Sequence, residues 1–155
     1  MRWAPAAGPW LIAARDRRTD GEAGRQLRVL MIEDDPAIAE MYRLQLEHDG
    51  YAVNVVTTGE IAESAVAADA PDIVLLDLLL PDRSGFEVLA SLNEGLTSRP
   101  PVVILSNYGE PSMMDRGRSL GALEYLVKSR VTPADISRQI PLWVEQGGGG
   151  RPADS

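Results

Sequence analysis

Two groups of acids carry the chemistry that this chain can do. Glu33, Asp34 and Asp35 follow the apolar run Val29-Leu30-Met31-Ile32, and Asp77 follows Ile73-Val74-Leu75-Leu76. A short branched apolar run that ends abruptly in carboxylates reads as a buried strand delivering acids to its C-terminal edge. Open α/β sheets bind their ligands at that edge. Carboxylates gathered there repel one another and raise each other's pKa unless a cation intervenes. An oxygen-only, acid-rich site suits Mg²⁺, so these residues point to a magnesium site with one special aspartate, Asp77.

Two further groups arrive in the same way. Ser106 follows the apolar run 102–105, and Lys128 follows 125–127. Carboxylates, a hydroxyl and an ammonium at one sheet edge are what phosphoryl chemistry on an aspartate uses. Asp77 supplies the attacking oxygen, while the cation, Lys128 and Ser106 neutralise the phosphoryl oxygens.

Positioning these groups requires alternating strands and helices. Strands are predicted at 28–32, 52–56, 73–76, 102–105 and 125–127, each followed by a helix with its own start signal. Asp35-Pro36 places an N-cap before a proline at the first helical position, with Ile38, Met41 and Leu44 facing inward and Gly50 as the stop. Thr57 with Glu60, and Ser84 with Glu87, have capping-box spacing. Leu89, Leu92 and Leu96 give the third helix one apolar face. The fourth helix, roughly 111–120, is weakly patterned. Thr132-Pro133 opens the last, with Ile136, Ile140 and Trp143 buried; Pro141 inside it predicts a kink or an end near Ile140. The alternation implies an α/β fold: a five-stranded parallel sheet flanked by five helices, doubly wound and flavodoxin-like. In the order 2-1-3-4-5, strands one, three and four are neighbours at the switch point.

The 155 residues suit one domain. A formal net charge of −8 disfavours sequence-independent nucleic-acid binding. The absence of cysteine excludes disulfides and thiolate metal sites and fits a cytoplasmic chain, and a single histidine, His48, excludes a multi-histidine site. Residues 1–26 read as a flexible extension, although Trp3, Trp10, Leu11 and Ile12 offer it an apolar foothold. Its apolar stretch is too short and interrupted for an export signal, and no run approaches the ~18 apolar residues that span a bilayer. The folded domain is expected over residues 27–145, followed by a Gly-rich flexible tail over 146–155.

Four segments together resemble the receiver domains of two-component response regulators: Ile32-Glu33-Asp34-Asp35-Pro36, Leu76-Asp77-Leu78-Leu79-Leu80-Pro81 with Gly85, Leu105-Ser106-Asn107, and Tyr125-Leu126-Val127-Lys128. The resemblance covers about residues 27–145. It implies that Asp77 accepts a phosphoryl group from the phosphohistidine of a sensor histidine kinase or phosphotransfer protein. It also implies that Glu33, Asp34, Asp77 and the main-chain carbonyl of Leu79 hold Mg²⁺. Ser106 and Lys128 would bind the phosphoryl oxygens, and Tyr125 would swing inward as Ser106 moves, remodelling the face of helix 4, strand 5 and helix 5. The chain is then read as a stand-alone, phosphorylation-controlled binding module, monomeric or dimerising on phosphorylation. Its output would pass to a downstream protein partner, with no direct nucleic-acid contact and no membrane insertion.

Asp35 precedes Pro36, so its carboxylate suits the helix cap, and Glu33 with Asp34 form the acid pair. Ser129 stands where the family usually has a proline that supports a cis peptide, and the sequence leaves both isomers open. The residues two after Asp77 and two after Ser106 flank the path of an attacking water in receivers. Here they are Leu79 and Tyr108, neither a good water-orienting group, which predicts slow loss of the phosphoryl group. Asp82 and Arg83 read as solvated loop charges. Competing readings are a receiver-like scaffold indifferent to phosphorylation, a phosphatase-like hydrolase, and a flavin-binding module. The hydrolase lacks a second acid two residues after Asp77. In the flavin module, acids after strand one would repel the phosphate.

Overall fold

Each strand is built mainly from apolar residues, and each of the first four helices connects two strands. A computed structural model describes residues 25–95 and 99–154. Five parallel strands, β1 (Arg28–Ile32), β2 (Ala52–Val56), β3 (Ile73–Asp77), β4 (Val102–Ser106) and β5 (Glu124–Val127), form one sheet in the order β2-β1-β3-β4-β5. They alternate with α1 (Pro36–His48), α2 (Ala62–Asp69), α3 (Gly85–Gly95), α4 (Pro111–Ser119) and α5 (Pro133–Asp154). A single 3₁₀ turn, Lys128–Arg130, follows β5. The expected topology is present.

Side-chain alternation along the strands splits the core into two layers. Leu30, Ile32, Val74, Leu76 and Ile104 face α2, α3 and α4 with Val66, Leu89 and Leu92. Val29, Met31, Ile73, Leu75, Val103 and Leu105 face α1 and α5 with Leu46, Ile136, Ile140 and Trp143. Register pairs Ile32 with Leu76 and Asp77 with Leu105, so β1, β3 and β4 end close together.

Helix starts follow the capping chemistry in part. The Asp35 carboxylate accepts the N–H groups of Ala37 and Ile38, and Gly50 takes φ +101° just past α1. Thr132 and Asp135 form a reciprocal capping box on α5. The Thr57–Glu60 box does not form: α2 begins at Ala62 without a side-chain cap of its own. The inward face of α1 is also shifted. Ala39, Tyr42 and Leu46 are buried, Ile38 is half-buried, and Met41 and Leu44 are 49% and 56% exposed. An alanine and a tyrosine carry the stripe there, while two larger aliphatic side chains beside it face water.

α5 departs furthest from expectation. It neither ends near Ile140 nor gives way to a tail at residue 146, but runs through Pro141 and residues 147–150 to Asp154. Pro141 has no N–H for the Ser137 carbonyl, and the Tyr51 hydroxyl donates to that carbonyl instead, at 2.7 Å. A Cβ on Gly147 would lie 2.5 Å from Pro101 Cβ, so glycine there permits a close helix–loop contact. At the other end, side-chain contacts begin before the expected start at residue 27, since Arg25 pairs with Asp72. Trp3, Trp10, Leu11, Ile12 and Leu96 lie outside the described residues.

Candidate functional site

The C-terminal ends of β1, β3 and β5 deliver four charged side chains to one place. Glu33, Asp34 and Asp77 each present a carboxylate oxygen, and these oxygens lie within 4.8 Å of one another. Glu33 and Asp77 are 1% and 7% exposed, whereas Asp34 stands open to solvent. Lys128 Nζ reaches across from the end of β5 to Glu33 Oε1 at 2.8 Å and to Asp77 Oδ1 at 3.4 Å. Asp35 stays out of the cluster, its carboxylate being spent on the α1 cap.

The electrostatics follow from burial and proximity. Burial pushes the Glu33 carboxyl above its usual range, and the hydrogen bond from Lys128 opposes this while Asp77 adds to it. Burial alone would lower the Lys128 ammonium, but the Glu33 hydrogen bond and the Asp77 charge outweigh it and hold the group above its ordinary value. The lysine is therefore a fixed cation. The donor set is all oxygen and two of its acids are buried, which suits a hard divalent ion of the Mg²⁺ class.

Ser106 closes β4, next to β3, and is 1% exposed. Its Oγ accepts the N–H of Tyr108 at 3.0 Å, a local turn bond that leaves the hydroxyl hydrogen for another acceptor. Tyr125 is buried and donates its hydroxyl to the Tyr108 carbonyl at 2.7 Å. Thus Ser106 and Tyr125 hold the same loop residue from its two backbone groups. Leu79 and Tyr108 are 54% and 43% exposed. The peptide after Lys128 is trans, as is every peptide among the described residues, and Lys128 reaches the acids without a proline behind it.

A family model for the response regulator receiver domain matches residues 29–140. The chain belongs to the response regulator receiver family. This receiver is 34% identical over 112 residues to the phosphate regulon transcriptional regulatory protein PhoB of Rhizobium meliloti, covering 72% of this chain and 49% of that one. It is 41% identical over 100 residues to the transcriptional regulatory protein KdpE of Mycobacterium tuberculosis, covering 64% and 43%. The receiver thus spans about half the length of the curated relatives it matches. Among solved structures it resembles the BeF3-activated N-terminal receiver domain of Klebsiella pneumoniae RstA, at 27% identity and TM-score 0.70, covering 77% of this chain and 99% of that one. A CheY-like receiver domain protein from Methanospirillum hungatei shares the fold at TM-score 0.73 and 23% identity, covering 80% and 98%. Receiver domains are phosphoacceptor signalling domains of two-component systems that bind Mg²⁺ at an acidic pocket, and the cluster in this receiver is of that kind.

Three residues of the segment after Asp77 make contacts that the sequence did not specify. Asp82 is exposed, as expected of a solvated loop charge, but it is also bonded: its carboxylate accepts the N–H groups of Gly59 and Glu60, each at 2.8 Å. The Gly59 bond leads the influences that hold its carboxyl below the usual range. Arg83 is likewise bonded, since it donates to Ser91 Oγ at 2.8 Å. Gly85 has no room for a side chain, because a Cβ would lie 2.5 Å from the Asp77 carbonyl oxygen.

Proposed function

We propose that Asp77 accepts a phosphoryl group from the phosphohistidine of a sensor histidine kinase or phosphotransfer protein. In this reading Glu33, Asp34, Asp77 and the Leu79 carbonyl hold Mg²⁺. When bound, the ion supplies charge neutralisation for the phosphoryl oxygens. An Asp77 carboxylate oxygen attacks phosphorus, an O–P bond forms, the N–P bond of phosphohistidine breaks, and the imidazole leaves with the bonding pair. Lys128 and the Ser106 hydroxyl take the phosphoryl oxygens. The observation that carries the reading is the double reach of Lys128 Nζ, 2.8 Å from Glu33 and 3.4 Å from Asp77, which sets a buried cation against the attacking carboxylate.

The Ser106 hydroxyl that would donate to the phosphoryl group also accepts from Tyr108 N–H, so drawing Ser106 toward phosphorus pulls on Tyr108, to which Tyr125 is tied. Phosphorylation would in this way reach the face formed by α4, β5 and α5. The output is contact with a downstream protein partner or a second copy through that face. The chain's net charge of −8 disfavours sequence-independent binding to nucleic acid. No helix among the described residues is long and apolar enough to cross a membrane, and the chemistry suits a cytoplasmic signalling domain.

Incubation with acetyl phosphate and Mg²⁺ tests the proposal by intact mass. One phosphoryl group should be added to the parent and none to Asp77→Asn; equal labelling of both would overturn it. One observation favours a second reading, a scaffold whose contacts ignore phosphorylation: Tyr125 is already buried and bonded. A phosphoryl mimic that leaves partner affinity unchanged would support that reading.

A further inference from the structure

The segment that follows Asp77 is closed on itself and bolted to a neighbouring loop. Within it, Gly85 N–H donates to the Leu78 carbonyl at 2.8 Å and Leu79 bridges Ser84. Outward, the two oxygens of Asp82 take the N–H groups of Gly59 and Glu60. These donors precede α2, whose own N-terminus has no side-chain cap, so Asp82 satisfies backbone that would otherwise go unpaired. Arg83 lies along the same contact. A Cβ on Gly59 would come within 2.8 Å of Arg83 Cγ and 2.7 Å of Val88 Cγ2, so the two loops meet with no space between them.

We propose that Asp82 is a positioning residue for the metal site, acting by tethering the loop that carries the Leu79 carbonyl to the β2–α2 loop. This rests on the reading of Glu33, Asp34, Asp77 and Leu79 as metal ligands and adds a residue that touches neither metal nor phosphorus. The physical reason is leverage. Leu79 is 54% exposed, so its own side chain has little packing to hold its backbone, which depends on its packed neighbours Leu78 and Leu80 and on the bonds around the loop. Asp82 supplies two of them across to a different segment. Without it the loop keeps its internal closure, the Arg83 contact and the packing of Leu78 and Leu80 on the core, and the Leu79 carbonyl between them is held less firmly. Groups that orient ligands from behind in this way cost roughly 10- to 100-fold in metal affinity when removed.

Mg²⁺ titration of the full chain by calorimetry, with no phosphodonor present, tests this, and a thermal melt of each variant checks that it is folded. Asp82→Ala should weaken Mg²⁺ about tenfold. Asp82→Asn loses the same charge but keeps one acceptor oxygen, and its affinity should fall between those of Asp82→Ala and the parent. Asp72→Ala serves as the control. Asp72 also accepts a backbone N–H, from Arg28 at 2.8 Å, but sits at the opposite end of β3 from Asp77. That variant should bind Mg²⁺ within about twofold of the parent. Parent-like affinity in Asp82→Ala overturns the proposal, as does equal weakening in the Asn and Ala variants, which would make the effect one of charge. If Asp82→Ala does not fold, parent-like binding by Asp82→Asn overturns it alone. Should the parent itself fail to bind Mg²⁺, the reading of the site falls and takes this inference with it.

Discussion

The Tyr51 hydroxyl donates to the Ser137 carbonyl at 2.7 Å, and that carbonyl is the one Pro141 leaves without its helical partner. A residue just before β2 thereby repairs a gap in α5. The neighbouring Ser137 hydroxyl donates to Asp49 at 2.5 Å, so one turn of α5 is fastened twice to the α1–β2 connection.

Tyr51→Phe keeps the ring and removes the repair. It should destabilise the fold by about 1–2 kcal/mol, the cost of leaving a part-buried carbonyl unpaired. Urea unfolding monitored by far-UV circular dichroism reads the change. A midpoint equal to the parent's would show that solvent satisfies Ser137 as well as Tyr51 does.

The phosphoryl group on Asp77 should be long-lived. Leu79 and Tyr108, both exposed, offer an incoming water neither a carboxylate nor an amide. Leu79→Asn should shorten the lifetime by about tenfold, less than a full general base provides, because an amide orients water without deprotonating it. Intact mass followed after donor removal measures the decay. Loss within seconds, unchanged in the variant, would contradict this account.

Alkaline stability should report Tyr42. Burial, with smaller contributions from Glu33 and Asp135, pushes its phenol up to about 12 from an ordinary 10.0. The folded state therefore holds this proton more tightly than the unfolded state. Its stabilisation is complete below pH ~10 and is lost as pH rises through about 12, by roughly 2–3 kcal/mol in total. Tyr42→Phe should flatten the fall in stability over that window. An unchanged slope would assign it to other groups.

Gly117 on α4 leaves room for the buried ring of Tyr125. A Cβ there would lie 2.8 Å from Ile104 Cδ1 and 3.1 Å from the Tyr125 ring. Gly117→Ala should gain about 1 kcal/mol of helix propensity and lose about 1–3 kcal/mol to overpacking, for a net loss. Adding Ile104→Val removes the closest clashing atom and should recover part of it. Chemical denaturation of the two variants decides the point, and a single variant at least as stable as the parent would refute it.

Much of this protein was decided by local sequence. Short branched runs such as Val29-Leu30-Met31-Ile32, bounded by acids, read as buried strands, and buried parallel strands with helices between them admit few topologies. Acids, a hydroxyl and a lysine placed one step past such runs arrive at one edge whatever the loops do, which is why Glu33, Asp34, Asp77 and Lys128 could be grouped from spacing alone. The Asp35 cap was legible because Pro36 leaves its carboxylate one natural use.

Tertiary structure decided what depends on partners distant in the chain. Pro141 reads locally as a helix end, and only the approach of Tyr51, ninety residues earlier in the chain, lets α5 continue. Asp82 reads as a free charge until the unpaired N–H groups of Gly59 and Glu60 are brought against it. The buried stripe of α1 fell on Ala39, Tyr42 and Leu46 because these are the residues that the packing of α1 against the sheet and α5 turns inward. Hydrogen bonds and close contacts between remote segments are set by three-dimensional geometry, to which a reading of periodicity is blind.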